Sequence, residues 1–353
     1  VLYNLALIES IEGDHTQQRS FLEKALEKDP KHAQSHAALG EIFMENKKIE
    51  KAKEEFTAAI KEDPDNLVAR VGYGHALLKN EKYEKAVEQL DKAIELAPDF
   101  PFAYADRSRA KAKMNKLGEA VQDLGKAIEL NPDYYWHYVD RGKLRVYQGN
   151  LDGAIEDFSK ALEIRPDYFL AYVYRAGAYD DKGKLKKALA DYQKVYKKKS
   201  DYHPLYQPAG VIAYIREDYS LARKMFLEMY RRFPDEYAAG LMVGICDFFA
   251  GNESRAKKFL REEMNKWPRE GHFYHLARLF LEPNYSNHVL NRIQEEKKPP
   301  RRIRALFYLA TYYELKGKHS LANKYYMEVS DASIYGLFEN RIVRHELQRT
   351  EDE

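Results

Sequence analysis

Seven prolines of this 353-residue chain fall on one 34-residue grid: Pro30, Pro64, Pro98, Pro132, Pro166, Pro234 and Pro268, with Ser200 in the missing place. A fixed period of this length marks a stacked-repeat fold, because each unit is one supersecondary element that cannot bury its apolar face alone. Within the period, apolar and small residues recur at helical spacing. One unit reads Leu39-Gly40, Phe43, Ala52, Phe56, Ala59, Pro64, and the next Tyr73-Gly74, Leu77, Ala86, Leu90, Ala93, Pro98. The small residues let two antiparallel helices, A and B, approach closely, and the large ones fill the space between units. The proline cannot continue helix B, so it ends the unit and turns the chain.

Later units repeat the pattern: Ala120, Leu124, Ala127; Gly142, Ala154, Phe158, Ala161; Gly210, Ala222, Phe226; and Gly244, Ala256, Leu260. Over nearly the whole chain the pattern resembles the tetratricopeptide repeat (TPR) family. That resemblance implies an all-α fold, a right-handed TPR superhelix (α-solenoid) of about nine to ten helix-turn-helix repeats with a C-terminal capping helix.

Departures from the period set the expected domain limits. Residues 1–199 form a first array, whose helix A would begin before Val1. Because the chain does not begin with Met, it reads as a trimmed product, which leaves room for a targeting segment or lipid anchor upstream. Pro208 falls in the first turns of an expected helix A and should delay or kink it. It therefore opens a second sub-array over 200–282. Residues 283–302 read as an irregular linker that holds a weak helix but lacks the standard helix B, and 303–353 as a final repeat with a capping helix over 335–349.

Composition narrows the function. Lys plus Arg total 58 and Asp plus Glu 56, a net charge of +2 that gives no pull toward nucleic acid. Charged residues reach 32% and mean hydropathy is -0.68, which suits an extended surface, while 28 Tyr and 16 Phe can fill a core. No apolar run approaches the ~20 residues of a membrane span. Cys246 is the single cysteine, so there is no internal disulfide framework, and it reads as a small buried hydrophobe. Phosphate-binding and dinucleotide motifs are absent, as is a His-Glu-x-x-His pair. His272 and His275 share a helix face, but the third histidine, His288, lies beyond a loop. No metal, cofactor or catalytic site is expected.

Comparison among the units gives an internal correlation. Arg107, Arg141 and Arg175 occupy a helix A position that is apolar or tyrosine in the other in-phase units, and the same three units carry Asp123, Asp157 and Asp191 on helix B. A packed arginine needs a charged partner, so three structural Arg–Asp pairs are expected.

The resemblance also implies that helix A lines the inner, partner-binding face. The positions there include Phe102, Asp106 and Arg109, then Trp136, Asp140 and Lys143, then Leu170 and Tyr174. Aromatic anchors with flanking charges suit an extended peptide or a partner helix; the alternative is that Phe102 and Trp136 cover gaps between repeats and that the charges neutralise each other three residues apart on each helix. Asp106 and Asp140 would repel a carboxylate, which argues against the acidic chaperone tails that one TPR subclass holds. Further on, Leu241, Met242, Ile245, Phe248 and Phe249 make a second apolar surface, to be covered by the C-terminal helix or by another subunit or partner.

The C-terminal string Phe307-Tyr308-Leu309, Tyr312-Tyr313, Leu315, Gly317, Ala322, Glu339-x-Arg341 and Glu346-Leu347 resembles the end of the NlpI family of bacterial TPR lipoproteins. This resemblance implies an adaptor of the bacterial envelope or periplasm that docks proteases and cell-wall hydrolases and self-associates. The expected function is a non-enzymatic protein-binding adaptor. The alternatives are an adhesin or outer-membrane assembly factor, the recognition arm of a larger enzyme, or a cytoplasmic adaptor.

Overall fold

The computed structural model describes every residue except Pro283, Ser333, Tyr335 and Glu353, and the backbone alone over 350–352. Among the described residues there are twenty-one α-helices and no strand, and the chain divides into two compact units, Val1–Lys182 and Gly183–Glu353.

The first unit is a run of five helical hairpins. They are α1 (Leu2–Glu12) with α2 (His15–Lys28), α3 (Ala33–Glu45) with α4 (Ile49–Glu62), and α5 (Leu67–Lys79) with α6 (Tyr83–Leu96). Then come α7 (Pro101–Lys113) with α8 (Leu117–Leu130), α9 (Tyr135–Tyr147) with α10 (Leu151–Ile164), and a last helix, α11 (Phe169–Asp181). Residues that share the period share the environment. Ala52, Phe56 and Ala59 on α4, Ala86, Leu90 and Ala93 on α6, and Ala154, Phe158 and Ala161 on α10 are all fully buried. Helices α2, α4, α6, α8 and α10 each end two residues before a grid proline. The next helix then starts on a side-chain cap where one is available; Asn66, for example, accepts a hydrogen bond from the Ala69 N–H at 3.0 Å.

Phe56 explains two glycines. A Cβ on Gly40 would lie 2.5 Å from its ring, and one on Gly72 only 2.3 Å away, so the ring occupies the space both side chains would need. The turns between helices A and B also keep the 34-residue step. Lys47, Glu81, Asn115, Gly149 and Gly183 all have positive φ. This is natural for glycine and costs about 1 kcal/mol at the Lys and Glu positions.

The second unit opens with α12 (Leu185–Lys198), which the period had assigned to the first array. A 3-10 turn at His203–Leu205 follows and delays the next helix, so α13 is the short span Tyr206–Ile215 with Pro208 at its third residue. There the missing N–H costs no helical hydrogen bond. After α14 (Tyr219–Arg232), α15 (Tyr237–Phe249) and α16 (Glu253–Met264) come α17 (His272–Leu281), α18 (Ser286–Glu295), α19 (Pro299–Leu315), α20 (His319–Asp331) and α21 (Glu339–Asp352). The weak helix expected in the span 283–302 is resolved in detail. The span holds α18, a shortened helix B with Val289 and Ile293 buried, and the start of α19.

Helix α15 is buried all round from Ala238 to Asp247, as a helix at the centre of a bundle must be. Helix α21 folds back against α13, α19 and α20, with Ile342 and Val343 fully buried. Just before it, Phe338 packs on Phe226 at 5.8 Å. Near its end Arg349 reaches Glu314 at 2.9 Å and Glu217 at 3.4 Å.

The expected second apolar interface is corrected by this packing. Leu241, Met242 and Ile245 are fully buried inside the unit. Phe248 stacks on Phe280 at 6.0 Å, and Phe249 on Tyr219 at 5.3 Å. Leu241, Met242 and Ile245 are therefore core residues, with Phe248 and Phe249 half-buried at its edge.

Candidate functional site

In the first unit, α3, α5, α7 and α9 lie in sequence along one face, each the inner helix of its hairpin. The second residue of α5, α7 and α9 is Val68, Phe102 and Trp136. They are 46%, 40% and 36% exposed, and they recur at one position of three successive inner helices. The two aromatic rings are held from behind. Phe102 meets Tyr134 edge-on at 5.3 Å, and Trp136 packs on Tyr135 at 5.2 Å and Tyr168 at 5.0 Å. One part of each ring therefore closes the gap between repeats while the other faces solvent. Leu170 is half-buried; Tyr174 stacks on Phe158 at 5.6 Å and lies 5.8 Å from the Lys143 ammonium.

The expected charge sets are largely engaged with each other. Arg109 donates to Asp106 at 2.6 Å and to Asp140 on the next inner helix at 3.2 Å, and Lys143 lies 3.7 Å from Asp140. Asp106 is buried. Burial weakens the Arg109 charge, but Asp106 and Asp140 more than offset it, and its pKa is raised. Arg109 is thus a clasp between α7 and α9.

Sequence reasoning missed His137, which is buried beside Tyr134 at 4.7 Å and Phe102 at 5.8 Å, with Nε2 lacking a hydrogen-bond partner. Burial first, and then Arg109, push its pKa down to about 4 against the pull of Asp140. At neutral pH it is an uncharged ring beneath the aromatic stripe.

Two recesses open on this face. The larger, of ≈ 940 Å³, is lined by Glu41, Glu45, Val68, Val71, His75 and Lys79 among others, with Phe56 in its floor. It deepens at Gly72, the position that Asp106, Asp140 and Tyr174 fill in later units. The smaller, of ≈ 620 Å³, is bordered by Arg109, Lys113, Asp140, Lys143 and Tyr147.

Behind the face lie the Arg–Asp contacts. Arg107 Nη2 is 2.6 Å from Asp123, and Arg141 Nη2 is 2.7 Å from Asp157. Each aspartate also holds a second cation one turn further along helix A: Lys111 at 2.9 Å from Asp123, and Arg145 at 2.9 Å from Asp157. Arg175 belongs to the first unit and donates to Ser159 at 2.9 Å; Asp191 belongs to the second, where Lys194 lies 3.6 Å away.

Among the described residues, no group of three or more His, Cys, Asp or Glu side chains is arranged to hold a metal. His275 Nδ1 lies 2.7 Å from the Tyr285 hydroxyl. Cys246 is buried, and burial raises its thiol pKa far above the usual value. No described helix is long and apolar enough to cross a membrane.

Comparison with known proteins adds the family. Tetratricopeptide repeat models match residues 1–32, 21–54, 44–114, 103–134 and 139–204, together more than half of the chain. Among solved structures, PilW, described as a widely conserved type IV pilus biogenesis factor, is 20% identical with a TM-score of 0.53 over 57% of this chain and 93% of its own. PilF of Pseudomonas aeruginosa is 21% identical with a TM-score of 0.51 over 56% and 90%. MamA is 25% identical with a TM-score of 0.44 over 46% and 95%. The comparison with curated proteins returned no match. PilW and PilF share the helical-repeat fold, and the repeat matches agree with the proline grid and the hairpins: the chain belongs to the tetratricopeptide repeat family.

Proposed function

We propose that the protein is a non-enzymatic adaptor that holds a peptide or helical segment of a partner protein against the inner helices of its first unit. The observation that carries this reading is the Val68–Phe102–Trp136 stripe: apolar, half-exposed, fixed from behind, and running beside an open groove. Rigid aromatics partly open to solvent are what a binding surface uses as anchors. In the second unit the C-terminal helix packs against the inner helix α13. We further place the protein in the bacterial envelope, supported by the C-terminal resemblance to the NlpI family.

The test compares partner capture by the wild type and by a Phe102→Ala/Trp136→Ala variant, each used as the full chain. Loss of two anchors should weaken partner binding about 30-fold or more, with far-ultraviolet circular dichroism unchanged. Retention of the same partners at the same strength by a folded variant would move the binding surface elsewhere.

A further inference from the structure

The start of α19 carries the wrong charge for a helix N-terminus. Lys297 and the N-cap Lys298 lead into it, Pro299 and Pro300 open it, and Arg301 and Arg302 complete a first turn that holds no acidic residue and no side-chain cap. The helix dipole makes this end positive, so it repels the four cations. The regular repeats make the opposite choice: α4, α6, α8 and α10 carry Glu50, Glu84, Glu119 and Asp152 in their first turns.

Lys297, Lys298, Arg301 and Arg302 are exposed, and Arg292 on α18 is half-buried. Among the described residues no ion pair involves any of the five. Glu295 and Glu296 do not pair with them either; Glu296 turns back to accept the Lys298 N–H at 2.9 Å. Arg304 points the other way, 3.2 Å from Glu339. The stretch 292–304 holds six Lys and Arg against two Glu, in a chain whose whole net charge is +2.

His272, at the start of α17, senses the local field. Burial pushes its pKa down to about 4; Glu296 opposes the shift, while Arg301, Arg292 and Arg304 add to it. Side chains from α18 and α19 thus converge near one point, three cations against one anion. No residue of the span 289–304 is aromatic, and no large apolar side chain there is exposed. The surface therefore has no ring for a nucleobase to stack on and no wedge for a lipid bilayer. Guanidinium groups instead match carboxylates, which they hold through two parallel hydrogen bonds.

We propose that this surface docks an acidic segment of a partner protein, with its carboxylates set against Lys297, Lys298, Arg301 and Arg302. Such a segment supplies the negative charge that the start of α19 lacks, and the unpaired cations steer it in from solution. The surface belongs to the second unit and the aromatic stripe to the first, so the two stand or fall separately.

Fluorescein-labelled octapeptides EDEEDDEE and QNQQNNQQ would be titrated by fluorescence anisotropy against the full chain at low salt. Labelled oligothymidine and vesicles of phosphatidylglycerol with phosphatidylcholine would be measured beside them. EDEEDDEE should bind, QNQQNNQQ should not, and added salt should weaken the complex. Lys297→Gln/Lys298→Gln/Arg301→Gln/Arg302→Gln should weaken EDEEDDEE binding about tenfold, as loss of four exposed charge pairs implies, with circular dichroism unchanged. Lys184→Gln/Lys186→Gln/Lys197→Gln/Lys199→Gln removes as many exposed charges from α12 and its caps in the same unit, and should change binding by less than about twofold. Equal weakening by the two variants, or no binding of EDEEDDEE, overturns the proposal. So does a tighter hold on the vesicles or on oligothymidine that the first variant abolishes, which would reassign the surface to a membrane or to nucleic acid.

Discussion

Replacing Asp157 by alanine should destabilise the first unit by about 3 kcal/mol or more. Asp157 is buried between α9 and α10, and it receives Arg141 through both carboxylate oxygens and Arg145 at 2.9 Å. Burial holds its carboxyl pKa above the usual value, although both arginines oppose that shift. The cluster therefore gains little net stability from being charged. Removing its one anion is another matter, because two largely covered guanidinium groups would then face each other without compensation. Urea unfolding of the variant measures the loss. Arg141→Ala in the Asp157→Ala background should cost much less than it does alone. A change below about 0.5 kcal/mol for Asp157→Ala would mean that the contact behaves as an exposed pair.

A second large effect is expected at the other end. Val343→Asp should destabilise the second unit by roughly 4 kcal/mol or more. Val343 is fully buried where α21 docks, beside the equally buried Ile342. A carboxylate there has no partner, so the helix must leave its site. Its departure uncovers Phe226 and the inner helices α13 and α19, against which α21 and Phe338 pack. Limited proteolysis would show new cleavage in the second unit, with the first unit intact. Unchanged cleavage and unfolding would mean that α21 is a loose appendage rather than part of the core.

The fold was legible because period and chemistry agree at each repeat. Pro64 and Pro98 stop α4 and α6, and Ala52, Phe56 and Ala59 occupy the face their spacing implies. The arginine correlation pointed to Asp123 and Asp157, and the second cations, Lys111 and Arg145, could have been found too, since each lies one helical turn after the first. The positive φ at Lys47 and Glu81 had no comparable signal, because neither residue type announces a left-handed turn. Helix α18 was legible only as a weak helix, because Val289 and Ile293 are its buried residues.

Leu241, Met242 and Ile245, for which the sequence left open coverage by the C-terminal helix or by a partner, carry a physical lesson. A helix apolar on every side is a central helix, and that composition was already present in α15. What covers α13 is α21, which follows it by more than a hundred residues, a contact that no local period encodes. The half-exposure of Phe102 and Trp136 likewise depends on the rings of Tyr134 and Tyr168 behind them.

The central claim is that partners bind on the inner helices of the first unit. Site-specific photocrosslinking tests it most directly, with benzoylphenylalanine placed in the full chain at Phe102 on α7 or, as a control, at the exposed Glu129 on the outer helix α8. The account predicts that a shared partner is captured from position 102 and not from position 129. Capture of that partner from position 129 alone, or equally from both, would contradict it.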